Sequence, residues 1–191
     1  MSTAAAAGVL AALVRRGATV AVAESLTGGL LGATLTTAVG ASAAFRGGVI
    51  AYATDLKAAL LGVPEDLLDR EGAVHPEVAA AMARGVRAVT GATYGLAVTG
   101  VAGPDEQDGK PVGTVHIALS GPESGLWHRD VSLAGSREQI RENTVREFGS
   151  SERCAGYHRG GTYRMITALR HQRTCSARSA ALLAVEGTVE L

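Results

Sequence analysis

Three polar residues and a glycine pair interrupt an apolar run at Glu24-Ser25-Leu26-Thr27-Gly28-Gly29, between "ATVAVA" and "LLGATL". A serine at a strand-to-helix corner presents its hydroxyl beside unpaired backbone N–H groups and the positive end of a helix dipole, which would place a nucleophile next to an anion hole. The N–H groups around Thr27, Gly28 and Gly29, or those of the loop that begins at Gly100, are the candidate donors. Ser25 or Thr27 equally fits a plain helix N-cap. No GxSxG, GxGxxG or Walker A pattern accompanies the corner, so the hydrolase elbow, the dinucleotide loop and the P-loop are not indicated.

A serine hydroxyl needs a base. His75, His116 and His128 offer no convincing Ser-His-Asp order, whereas the whole chain contains two lysines, Lys57 and Lys110. Lys57 falls in the first turn of an expected helix capped by Thr54, where the macrodipole disfavours a cation and the flanking "AALL" can bury the amine. A neutral lysine can take the serine proton. A lysine snorkelling from a surface helix is the ordinary alternative. Tyr52, five residues earlier, can orient the amine or a substrate, or simply pack its ring.

Two further clusters complete the candidates. In "AVTGVAGPDEQDGKPVGTV", Thr99 ends an apolar strand as Ser25 does, and Gly100 opens a long glycine-bearing loop of the kind that binds small molecules in open α/β folds. The loop also reads as a solvated connection, and Asp105, Glu106 and Asp108 lack the spacing of a metal site. In "GSREQIRE", Arg137 and Arg141 share one face near a helix start and can grip phosphate or carboxylate, or pair with neighbouring glutamates.

The elements that must position these residues follow from pattern. An amphipathic first helix runs towards Gly17, and "ATVAVAE" is a strand buried on both faces. "GGLLGATLTTAVG" is a helix, "GGVIAYA" a strand, and "TDLKAALLG" a short helix closed by Gly62. Pro64 and Pro76 each suit the first turn of a helix. "TYGLAVTG" is a third strand, "GTVHIALS" and "LWHRDVSL" form an antiparallel hairpin, and Ser136 with Gln139 makes a capping box. Strands alternating with helices, then a hairpin and a helix, predict a three-layer α/β/α sandwich on a mixed sheet.

Composition narrows the class. The chain has 191 residues, 47% hydrophobic and 19% charged, with a formal net charge of zero, as expected for a globular protein. Over residues 1–147 acidic side chains outnumber basic ones fifteen to twelve, against direct nucleic-acid binding by the body. The apolar N-terminus lacks the order of a signal peptide and the length of a membrane span, which makes cytoplasm the default. Cys154 and Cys175 support neither a zinc site nor a disulfide framework. The body is assigned to residues 1–147. Residues 148–191, with six Arg against three Glu and little period, form a basic tail that fits a disordered extension, a frameshift product or a partner-docking element.

The blocks "AESLTGG", "GGVIAYATDLKAALLGV", "GAVHPEVAAAMARG", "VTGVAGPDEQDGKPVGTVHIAL" and "GSREQIRENTV", in that order, closely resemble the CinA C-terminal domain family of nicotinamide-nucleotide amidohydrolases over residues 5–147. The resemblance implies hydrolysis of the carboxamide of nicotinamide mononucleotide to nicotinate mononucleotide and ammonia, with no metal or other cofactor, by a homodimer. It places the family's serine on Ser25, its lysine on Lys57, its tyrosine on Tyr52 and its hydroxyl residue on Thr99. The arginines of the last block fall on Arg137 and Arg141. Leu26 stands where cysteine is usual, "YATDLK" replaces "YSNEAK", and the apolar "ALxxLL" continuation of the last helix is missing after Arg146. A non-catalytic nucleotide-binding or competence-related interaction module is the competing reading.

Overall fold

The computed structural model describes residues 1–149; the expectations for the tail beyond Gly149 lie outside them. In chain order the elements are α1 (Thr3–Val14), β1 (Val20–Glu24), α2 (Leu30–Thr36), a 3-10 turn (Ala41–Ala43), β2 (Phe45–Ile50), α3 (Thr54–Leu61), α4 (Glu65–Glu71), α5 (Pro76–Thr90), β3 (Tyr94–Gly100), β4 (Thr114–Ser120), β5 (Leu126–Ser132) and α6 (Arg137–Glu147). They build the α/β/α sandwich that the alternation predicts. The sheet order is β2-β1-β3-β4-β5, with β1 parallel to β2 and β3, and β4 antiparallel to both β3 and β5.

Strand alternation divides the interior into two unlike halves. Val20 and Val22 of β1, Leu96 and Val98 of β3, and Ile117 of β4 face a large-residue layer shared with α1, α2 and α6. Ala21, Ala23, Ala97 and Ala118 face the opposite layer of α3, α4 and α5. Small residues are required on that side because α5 lies close to the sheet. A Cβ on Gly95 would meet the Ala83 carbonyl at 2.0 Å, and one on Gly85 would meet the Leu61 carbonyl of α3 at 1.9 Å. The same alternation, carried one residue past the strand, sets Ser25 on the α5 side, while Glu24 points towards α2.

Local signals hold with small displacements. Ser136 and Gln139 form the reciprocal capping box, and Gly62 closes α3 in the left-handed region at φ 63°. Thr54 is the first helical residue of α3 instead of its cap; Ala53 occupies that place and makes no side-chain cap bond. Pro64 likewise sits one position before α4, whereas Pro76 opens α5. α1 stops at Val14, before Gly17. β2 starts at Phe45, two residues earlier than its apolar pattern suggested, because Phe45 pairs with Val20. Phe148, first residue of the expected tail, is buried with α1 and α6 in the large-residue layer. No helix among the described residues is long and apolar enough to cross a membrane.

Candidate active site

Ser25 continues the β1 ladder by donating its N–H to Val98 of β3 at 3.1 Å, then leaves the sheet through a turn in which Gly28 N–H donates back to the Ser25 carbonyl at 3.0 Å. Lys57 reaches the serine from α3. Its Nζ lies 3.1 Å from Ser25 Oγ, 2.9 Å from the Ala51 carbonyl and 3.3 Å from the Tyr52 carbonyl. Lys57 is 1% exposed. Burial pushes its pKa down from 10.5 to about 8, against the opposing pull of Asp108 and Asp55.

Those three partners decide what the amine does when neutral. Carbonyl oxygens only accept, so the two remaining N–H bonds of an NH₂ group satisfy Ala51 and Tyr52. Its lone pair is then left for Ser25, the one neighbour with a proton to give. The backbone at the end of β2 therefore aims the base at the nucleophile.

A cleft opens above this pair, lined by Ser25, Tyr52, Thr99, Gly100, Asp105 and Arg137 among others. Arg137 spans its rim, donating to the Tyr52 hydroxyl and to the Gly103 carbonyl. Tyr52 is 54% exposed, so its ring and the guanidinium meet solvent at the mouth. Thr99 is buried and donates its hydroxyl to the Ala73 carbonyl at 2.7 Å. Asp108 accepts the Ala73 N–H at 2.9 Å and holds the same turn from the other side. Its carboxylate fills the space where a Cβ on Gly72 would stand. Gly100 is small because the Thr114 carbonyl would lie 2.5 Å from its Cβ, so packing against β4 accounts for it.

The other candidates are not brought to the wall of the cleft. The expectation that Gly28 and Gly29 hold an anion from the solvent side is corrected, because their N–H groups are already engaged. Gly28 bonds Ser25, and Gly29 donates to the Glu24 carboxylate at 3.0 Å. Glu24 is buried and also accepts from Leu31 at 3.0 Å and Gly32 at 2.8 Å, so the protein supplies its own anion to the start of α2. The Thr27 side chain is fully buried and is not among the residues that line the cleft. Arg141 turns away from the cleft and donates to the carbonyls of Leu26, at 3.1 Å, and Thr27, at 2.9 Å. The two arginines therefore have different tasks. Sequence reasoning assigned no role to Glu24 or Asp108; the usable signal for Glu24 was an acid directly before a glycine-led helix. Of the histidines, His116 bonds Asp130 at 2.7 Å and His75 caps α5.

The model of the CinA C-terminal domain matches residues 2–148. This chain belongs to the CinA C-terminal domain family. It is 61% identical over 137 residues to a CinA-like protein of Frankia casuarinae, covering 72% of this chain and 31% of that one. It is 55% identical over 132 residues to a CinA-like protein of Desulfotalea psychrophila, covering 69% and 32%. The chain thus spans about a third of the length of these curated relatives. Among solved structures it is similar to the competence/damage inducible protein CihA of Agrobacterium tumefaciens, with TM-score 0.73 and 36% identity over 75% of this chain and 88% of that one. A CinA superfamily protein of Escherichia coli gives TM-score 0.71 at 29% identity, over 74% and 83%. In this chain Ser25 follows the end of β1 and Lys57 lies in the first turn of α3.

Proposed function

We propose that this CinA-family chain is an amidohydrolase that converts nicotinamide mononucleotide to nicotinate mononucleotide and ammonia through a covalent Ser25 intermediate. The contact of 3.1 Å between Ser25 Oγ and a buried Lys57, whose pKa burial pushes down to about 8, carries the reading. Ser25 Oγ bonds to the carboxamide carbon while its proton passes to Lys57 Nζ and the carbonyl electron pair moves onto oxygen. The tetrahedral adduct collapses, the C–N bond breaks, and the Lys57 proton leaves with ammonia. Water then attacks the acyl ester, returning a proton through Lys57 to Ser25 and releasing the carboxylate. Arg137 at the rim holds the substrate phosphate, with Tyr52 and Thr99 shaping the cleft around the ring.

The substrate, the absence of a cofactor and action as a homodimer follow the family resemblance, and a cytoplasmic setting is proposed with them. Ammonia release from nicotinamide mononucleotide by purified protein tests the proposal, together with Ser25→Ala. Turnover that disappears in the variant while the fold is retained supports it. Tight binding without turnover in the unaltered protein would replace it with a nucleotide-binding module.

A further inference from the structure

With Gly28 and Gly29 engaged, the oxyanion donors must come from elsewhere. In a trans peptide the C=O and N–H point in opposite directions, so pinning a carbonyl also aims the next residue's N–H. At the corner both relevant carbonyls are pinned. Ser25 C=O accepts Gly28 N–H at 3.0 Å, which turns the Leu26 N–H the other way. Leu26 C=O accepts Arg141 Nε at 3.1 Å, which does the same for the Thr27 N–H. Among the described residues neither of these N–H groups has an acceptor. Both residues are buried, at 3% and 0% exposure, and Thr27 Oγ1 is likewise without a partner. Leu26 lines the cleft directly beside Ser25. Successive backbone N–H groups in such a turn form an anion-binding nest.

We propose that the oxyanion is held by the Leu26 amide, backed by that of Thr27, and that Arg141 is the positioning residue that keeps this turn in register. The inference rests on the acyl-transfer reading above and adds its electrostatic half. It assigns Arg141 to the transition state and leaves ground-state binding to Arg137.

The test is kinetic and spectroscopic. Arg141→Ala should lower kcat at least about tenfold, towards the roughly 10²-fold typical of a lost oxyanion donor, with KM nearly unchanged. Its affinity for pyridine-3-boronic acid, which forms a tetrahedral adduct on serine, should fall in parallel, while its affinity for planar nicotinamide should not. Arg141→Lys, which cannot hold both carbonyls in the same fork, should lie between. A raised KM with kcat intact would make Arg141 a substrate ligand and overturn the proposal. Should the alanine variant unfold, the unaltered protein still decides the matter: boronate must move the Leu26 and Thr27 amide ¹H–¹⁵N resonances downfield, and unmoved resonances refute the hole. If nicotinamide mononucleotide is not hydrolysed yet boronate shifts both amides, the substrate assignment fails and the hole stands.

Discussion

Replacing Lys57 by Met isolates the energetic cost of the buried amine. Lys57 titrates near 10.5 when unfolded and at about 8 in the folded protein, because burial disfavours the cation. Between these values the unfolded chain holds a proton that the folded chain has released, so stability rises with pH across that window. The penalty is complete below about pH 8 and gone above about 10.5; the displacement corresponds to about 3 kcal/mol. Methionine fills similar volume and does not titrate. It also leaves the Ala51 and Tyr52 carbonyls without their donor, at about 1–3 kcal/mol for each buried one. That loss is independent of pH and cancels from the slope. Urea unfolding of both proteins should therefore show the unaltered chain gaining about 2 kcal/mol on Lys57→Met from about pH 7 to about pH 10. A pH-independent difference would mean that burial does not lower the amine's pKa, and a slope of opposite sign would mean that the site favours the cation. Either result removes the base from the mechanism.

Two further outcomes follow from the same geometry. Ammonia release should climb with pH and reach half its plateau near 8, as Lys57 becomes neutral; activity that falls through this range would assign the base elsewhere. Glu24→Gln replaces a carboxylate that accepts three N–H groups with an amide whose NH₂ opposes them, and should cost about 2 kcal/mol, read as a fall in Tm of about 4–8 °C. An unchanged Tm would show that the start of α2 does not need its anion.

Much of the chain's architecture is written locally. The two-residue period of "VAVAE", the Ser136–Gln139 capping box and the glycine stop at Gly62 are short-range effects, because backbone hydrogen bonding and alternation act over a few residues. These suffice for the α/β/α class and for singling out Ser25 and Lys57 as residues at element ends. What they cannot convey is which groups meet. The 3.1 Å contact joins residues 32 positions apart, and small residues let α5 settle against the sheet and α3 against α5 around it. The same packing commits Gly28, Gly29 and Glu24 to one another, sends Arg141 to the back of the corner and leaves Arg137 at the mouth. A charged or polar group has several partners available in sequence. Tertiary structure selects among them, since each donor and acceptor buried by the fold must find its match there.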